Sequence, residues 1–284
     1  MTPYELYQTY RNLSVDLHDG RTIYGLDIHK YRNNSNSGGI SGTGAGHAAY
    51  EKLKAKVAKA GKKEKLGGYV LDETDEEGAS ACLMFRKIER VRVFPDLWRV
   101  FVGKGSPEEI RQALRLAVFF KLVASDKGAL QSYCDDNIGL DCSGFAGNLY
   151  GGEWVEKGAD YFRDHGTEVR KLEDIRANDA IYWVDTNHIV VIDRVYPANK
   201  CLTKGDPVLQ SMAAESTGAQ MLPNGPNNGI LHRILLPSDA PSAVQNLAAE
   251  GHSNTSGGFL VTKDQGPAHS MTFRVMYAAV LGIS

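Results

Sequence analysis

The run His188-Ile189-Val190-Val191-Ile192-Asp193-Arg194-Val195 constrains this chain more than any other stretch. A near-continuous series of β-branched residues reads as a central strand, because a strand with one wet face would alternate apolar and polar side chains. Such a strand needs a partner on each edge and cover over its faces. Ahead of it, Ala180-Ile181-Tyr182-Trp183 is a short apolar strand, entered through Asn178-Asp179 and joined to the long run by the turn at residues 184–187. Behind it, residues 208–217 read as a second partner and residues 230–236 as a further strand beyond a loop at residues 223–229. A Gly/Ser/Asn-rich loop around residues 250–258 precedes a last strand at residues 271–277. The second half of the chain is therefore built on a sheet.

Upstream of that sheet, residues 139–150 (Gly139-Leu140-Asp141-Cys142-Ser143-Gly144-Phe145-Ala146-Gly147-Asn148-Leu149-Tyr150) read as a tight loop running into a short helix. Asp141 is placed to cap it, Phe145 and Leu149 share a face, and Gly151-Gly152 stop it. Cys142 then stands in the first turn, where unpaired backbone N–H groups and the helix dipole favour thiolate over thiol. Free cysteines are more often small buried hydrophobes, and that reading stays open at this point.

A histidine that opens a buried strand points at whatever packs over that end of the sheet. If the cysteine helix packs there, His188 meets Cys142 and can hold a thiolate as an ion pair. The orienting third group is expected on the next strand, at Glu215, with Ser216 or Gln210 as the fallback. Taken alone, His188 reads more readily as a satisfied strand-end histidine, because one His and one Cys in any sequence can be paired on paper.

The first ninety-five residues carry no such pattern. Thr2-Pro3-Tyr4-Glu5 is a capping box opening a helix over about residues 3–12, and two alternating segments joined at Asp19-Gly20 read as a hairpin. His18 and His29 lack ligand-like spacing and read as structural. Residues 33–46 are Asn/Ser/Gly-rich and read as a linker; residues 47–64 read as a basic amphipathic helix with a solvated face. Strands are expected near residues 68–71, 81–85 and 91–94, around an acidic turn. Ser106-Pro107-Glu108-Glu109 opens the clearest helix, expected to run to about Ala124. Pro95 and Gly103-Lys104-Gly105 suggest a division into an N-terminal α+β region, residues 1–95, and a core with a C-terminal extension, residues 96–284.

Bulk properties narrow the function. Net charge −2 over 284 residues argues against a nucleic-acid partner. Four cysteines (Cys82, Cys134, Cys142 and Cys201) show no CxxC spacing, so neither a zinc site nor a disulfide framework is suggested, and no metal or cofactor is expected. The N-terminus lacks the basic head and apolar run of a signal peptide, and no window reaches the length of a membrane span. The expectation is a chain made as a soluble cytoplasmic protein.

The order of three motifs adds a family. The segments Gly139–Phe145, Asn178–Trp183 and His188–Ile192 together resemble the NlpC-type cysteine peptidases and the related CHAP amidases, over about residues 125–236. The resemblance implies an α+β fold with a papain-like core, its cysteine helix packed on an antiparallel sheet. It implies hydrolysis of amide bonds, most often in peptidoglycan stem peptides, with Cys142 as nucleophile, His188 as base and Glu215 as third member, as in the CHAP-like branch. Tyr133 would match the tyrosine that lines the oxyanion hole, the backbone N–H of Cys142 would be an oxyanion donor, and Asp141, Ser143 and Ser216 would border the groove. Asn178 stands where the family has glycine, and asparagine tolerates the same turn conformations. The same triad chemistry also serves deamidases, transglutaminase-like enzymes and acyltransferases, and a non-catalytic descendant would keep the fold for binding. A peptidoglycan substrate would require export by a route that reads no signal peptide, or release by lysis or from a phage particle.

Overall fold

The computed structural model describes residues 1–31, 45–63, 69–71, 93–94, 97–184, 186–196, 209–217, 224–235, 259–263 and 274–283. Residues 33–44 of the linker expected at 33–46, the acidic turn and strand at residues 73–85 and the loop at residues 250–258 lie outside these. The chain divides into two compact units, one of residues 9–140 and one of residues 1–8 with 141–284. Residues 97–140, expected to go with the core, cluster here with the N-terminal residues, the helix opened by Ser106 packing on the hairpin.

In chain order the first unit holds the end of helix α1 (Pro3–Arg11), a hairpin of β1 (Leu13–Asp16) and β2 (Thr22–Leu26), helix α2 (Ala45–Ala60) and a small sheet of β3 (Gly61–Lys63), β4 (Tyr69–Leu71) and β5 (Val93–Phe94). Helices α3 (Trp98–Phe101), α4 (Pro107–Phe119) and α5 (Lys127–Asn137) follow. The hairpin turns at Asp19-Gly20 as expected, with Gly20 at φ 86°, a conformation that costs glycine little. The capping box of α4 is complete: Ser106 Oγ accepts from the Glu109 N–H and the Glu109 carboxylate accepts from the Ser106 N–H. The other Glu109 oxygen pairs with Arg99, a buried ion pair joining α3 to α4. Arg111 Nε donates to Ser14 O at 3.0 Å and Arg115 Nε to Asp16 O at 3.0 Å, so α4 is bonded along β1. It stops five residues short of Ala124, with Phe120 as C-cap and Lys121 left-handed at φ 56°. Helix α5, which hydropathy alone does not single out, begins where Asp126 caps it by accepting from the Ala129 N–H.

The second unit contains helix α6 (Cys142–Tyr150), a 3-10 turn (Gly152–Trp154), helix α7 (Ala159–His165), β6 (Thr167–Val169), β7 (Ala180–Trp183), β8 (His188–Tyr196), β9 (Leu209–Thr217), β10 (Gly225–Leu235), β11 (Phe259–Lys263) and β12 (Arg274–Gly282). Strands β11-β10-β9-β8-β7-β12 pair antiparallel in that order, and β11 pairs with β12. The six therefore close into a barrel, with β6 added on the outside of β12. The sequence suggested an antiparallel sheet carrying the cysteine helix; the closure is new, and β11, at residues 259–263, makes it.

Side-chain alternation separates two layers. Ile181, Trp183, Val190, Ile192, Ala213, Ile234, Phe259, Val261, Ala278 and Val280 form one buried cluster fed by all six barrel strands, so this is the inside. Cys142, Ala146, Phe162, Ala180, Tyr182, Ile189 and Val191 form the other, where α6 and α7 cover the outer face. With an inside and an outside both dry, β8 must be apolar on both faces, which is why its sequence does not alternate. Gly147 sets the closeness of α6: a Cβ there would lie 2.5 Å from Trp154 O, so only glycine fits.

Candidate active site

Asp141 caps α6 in extended conformation, its Oδ1 accepting from the Gly144 N–H at 2.5 Å and from the Ser143 hydroxyl at 3.3 Å. Cys142 is therefore the first helical residue, and its own N–H has no acceptor within the helix. Asp141 and Ser143 are buried and bonded to each other at the helix start, so their part here is to fix the first turn beneath the thiol. Gly151, at φ 73°, ends the helix.

His188 is the first residue of β8, directly across from Trp183 on β7. Glu215 lies on β9; alternation from Ala213 places it on the barrel's inner face, and it is fully buried. His188 Nε2 and Glu215 Oε2 are 2.5 Å apart. Cys142 acts on the same ring, its side chain and charge raising the His188 pKa, and with Nε2 taken by Glu215 the other ring nitrogen, Nδ1, is left free of that carboxylate. Thiol, imidazole and carboxylate are thus brought together from three elements.

Burial works against a charged imidazole, but the charge and hydrogen bond of Cys142, joined by those of Glu215, overcome it and push the His188 pKa up to about 10. A carboxylate sealed inside a barrel is costly unless it is paired and hydrogen-bonded. Holding His188 as imidazolium meets that need.

Ser216, the fallback third member, is fully buried but alternates to the face opposite Glu215 and pairs with Pro226 of β10; Glu215 is the residue that reaches the ring. Gln210 is the second residue of the strand that carries Glu215, opposite Tyr196 and at the other end of the strand from Glu215. Tyr133 belongs to the residues 9–140 unit, on α5; its hydroxyl is buried without a hydrogen-bond partner among the described residues, and burial raises its pKa.

The Asn178-Asp179 motif is structural. Asn178 is left-handed at φ 70°, and its N–H donates to Ile192 O at 2.8 Å. Asp179 Oδ2 accepts from the Arg176 N–H at 2.7 Å while its carbonyl accepts from the Ile192 N–H. Burial raises the Asp179 pKa and the Arg176 amide opposes it. The pair anchors the chain as it enters β7.

Among the described residues no group of three or more His, Cys, Asp or Glu side chains could hold a metal ion, and no helix is long and apolar enough to cross a membrane. The chain matches no family model, no curated protein and no solved structure.

Proposed function

We propose that this protein is a cysteine hydrolase of the NlpC/CHAP, papain-like type that cleaves amide bonds through a Cys142-His188-Glu215 triad. The observation that carries the reading is the meeting of three groups from three elements: a thiol at a helix start, an imidazole whose pKa that thiol raises, and a buried carboxylate 2.5 Å from the ring's Nε2. A papain-like core is supported by the order cysteine helix, histidine strand, acid strand; the closed barrel is the feature an open papain-like sheet lacks.

In this reading the Cys142 sulfur attacks the amide carbonyl carbon, forming a C–S bond while the carbonyl oxygen takes up negative charge near the Cys142 N–H. The imidazolium Nδ1–H passes its proton to the amide nitrogen, the C–N bond breaks, and an amine leaves. His188, now neutral, takes a proton from water as the water oxygen attacks the thioester. The C–S bond breaks, releasing a carboxylic acid and restoring the thiolate-imidazolium pair. Glu215 keeps Nε2–H bonded throughout, fixing the ring so that Nδ1 does the proton transfer.

The substrate we propose, a peptide stem of peptidoglycan, rests on the resemblance of the motifs. The test is to incubate purified sacculi or muropeptides with wild type and Cys142→Ala. New amine termini made by wild type alone are the expected result. If none form while Cys142 still reacts rapidly with iodoacetamide, the triad serves another acyl acceptor or substrate, as in deamidases, transglutaminase-like enzymes or acyltransferases.

A further inference from the structure

The residues 9–140 unit carries an open cleft of about 560 Å³ between the β1–β2 turn and the segment that leaves α4. That volume falls within the roughly 300–1,000 Å³ of small-ligand sites. The triad uses none of its residues.

One wall is apolar, made by Phe119 at the end of α4 with Leu122 and Val123 beyond it. The His18 ring meets the Phe119 ring edge to face, centroids 5.7 Å apart and planes at 87°. A further aromatic ring can pack into that corner in the same tilted geometry. Asp19 also lines the cleft, but Arg21 neutralises it: its Nε and its backbone N–H bond the two carboxylate oxygens at 2.8 and 3.1 Å and hold the Asp19 pKa below the usual carboxylate range. The Arg21 guanidinium also donates to Ser125 Oγ at 2.6 Å, tying the turn to the facing wall. Lys121 is exposed and makes no ion pair among the described residues. The lining is therefore apolar with one uncompensated cation.

That cation stands where a helix end favours glycine. The Leu122 N–H donates to Ala117 O at 2.8 Å and the Lys121 N–H to Val118 O at 3.0 Å, the paired bonds of a Schellman closure. The closure needs a left-handed residue at Lys121, φ 56° here, which glycine supplies at least cost. The same bonds occupy terminal carbonyls of α4 that would otherwise repel an anion.

We propose that this cleft binds a small aromatic carboxylate, its ring against Phe119, Leu122 and Val123 and its carboxylate on the Lys121 ammonium. Apolar contact places the ring, and the charge selects an acid over its neutral amide. The proposal is independent of the triad, so binding rather than turnover tests it.

Phenylacetate and its neutral counterpart phenylacetamide are the probes, each titrated into the isotope-labelled full chain and followed by backbone amide shifts. Phenylacetate should saturably move amides of residues 18–19 and 118–125 and bind about fivefold more tightly than the amide, the upper range for an exposed ion pair. Lys121→Gly keeps the left-handed turn and should erase that preference while leaving phenylacetamide binding as in wild type. Ala124→Trp, at an exposed position in the lining, should fill the cleft and abolish binding of both. Equal affinity of wild type for the two probes, or a preference that survives in Lys121→Gly, overturns the proposal. So do shifts that never saturate, that appear elsewhere, or that persist in Ala124→Trp.

Discussion

Two buried cysteines lie eight residues apart, and the structure treats them in opposite ways. Cys134 is 1% exposed and Cys142 6%, so burial does not distinguish them. Cys134 sits in the last turn of α5, in apolar surroundings with the Asp135 carboxylate as neighbour; burial first, and that charge second, push its thiol up to about 12. Cys142 opens α6 beside an imidazole whose pKa is pushed up by Cys142 itself and then by Glu215. In the proposed function, helix position and that neighbouring charge are what separate a nucleophile from an inert thiol.

The sharpest way to break that comparison is to remove the imidazole. His188→Ala should lower amide cleavage by about 10⁴-fold or more, nearly as far as Cys142→Ala, because nucleophile and base act as one unit. Steady-state rates on the same muropeptides check it; a His188→Ala enzyme within tenfold of wild type would mean the ring is structural.

Next in size is selective alkylation. At pH 6.5, iodoacetamide should modify Cys142 about 100-fold faster than Cys134, since the raised thiol of Cys134 has almost no thiolate character there. Peptide mapping of timed samples reads both sites together, and equal rates would erase the distinction.

Glu215→Gln should cut activity about 10- to 100-fold while leaving Cys142 in place. It should also change the pH dependence of stability. The His188 pKa stands above its ordinary 6.5, so its contribution is fully present below about pH 6.5 and is lost as pH rises toward 10. Wild type should therefore lose stability over pH 6.5–10, by an amount on the order of 2 kcal/mol, and Glu215→Gln should lose less. Denaturant titrations at several pH values measure this; identical slopes would show that the pair is not coupled.

The smallest effect belongs to the cap. Asp141→Ala should cost about 1 kcal/mol of stability by exposing the Gly144 N–H, and slow Cys142 alkylation only a few-fold. A loss of fold on this change would show that the cap holds more than the first turn of α6.

Much of the site was legible because it is local. Asp141, Cys142 and Gly151 announce a capped, stopped helix in consecutive letters, and the unalternating run from His188 announces a strand dry on both faces. Residues 271–277 were read as a strand of their own, whereas β12 runs Arg274–Gly282, its end drawn on by pairing with β7 and β6. Strand β11 was not anticipated at all: five residues between polar stretches carry too little periodicity to declare themselves. Short elements α7 and β6 escaped for the same reason.

The sequence by itself determined the helix that bears Cys142, the strand that begins at His188 and the candidacy of Glu215, because capping, strand patterning and residue type act within a few neighbours. Only the tertiary structure decided that β11 and β12 pair to close a barrel and that alternation turns Glu215 inward and Ser216 outward. Those outcomes depend on register and on groups distant in the chain. Register is set by which faces can be buried together once all six strands meet, and no single segment carries that information.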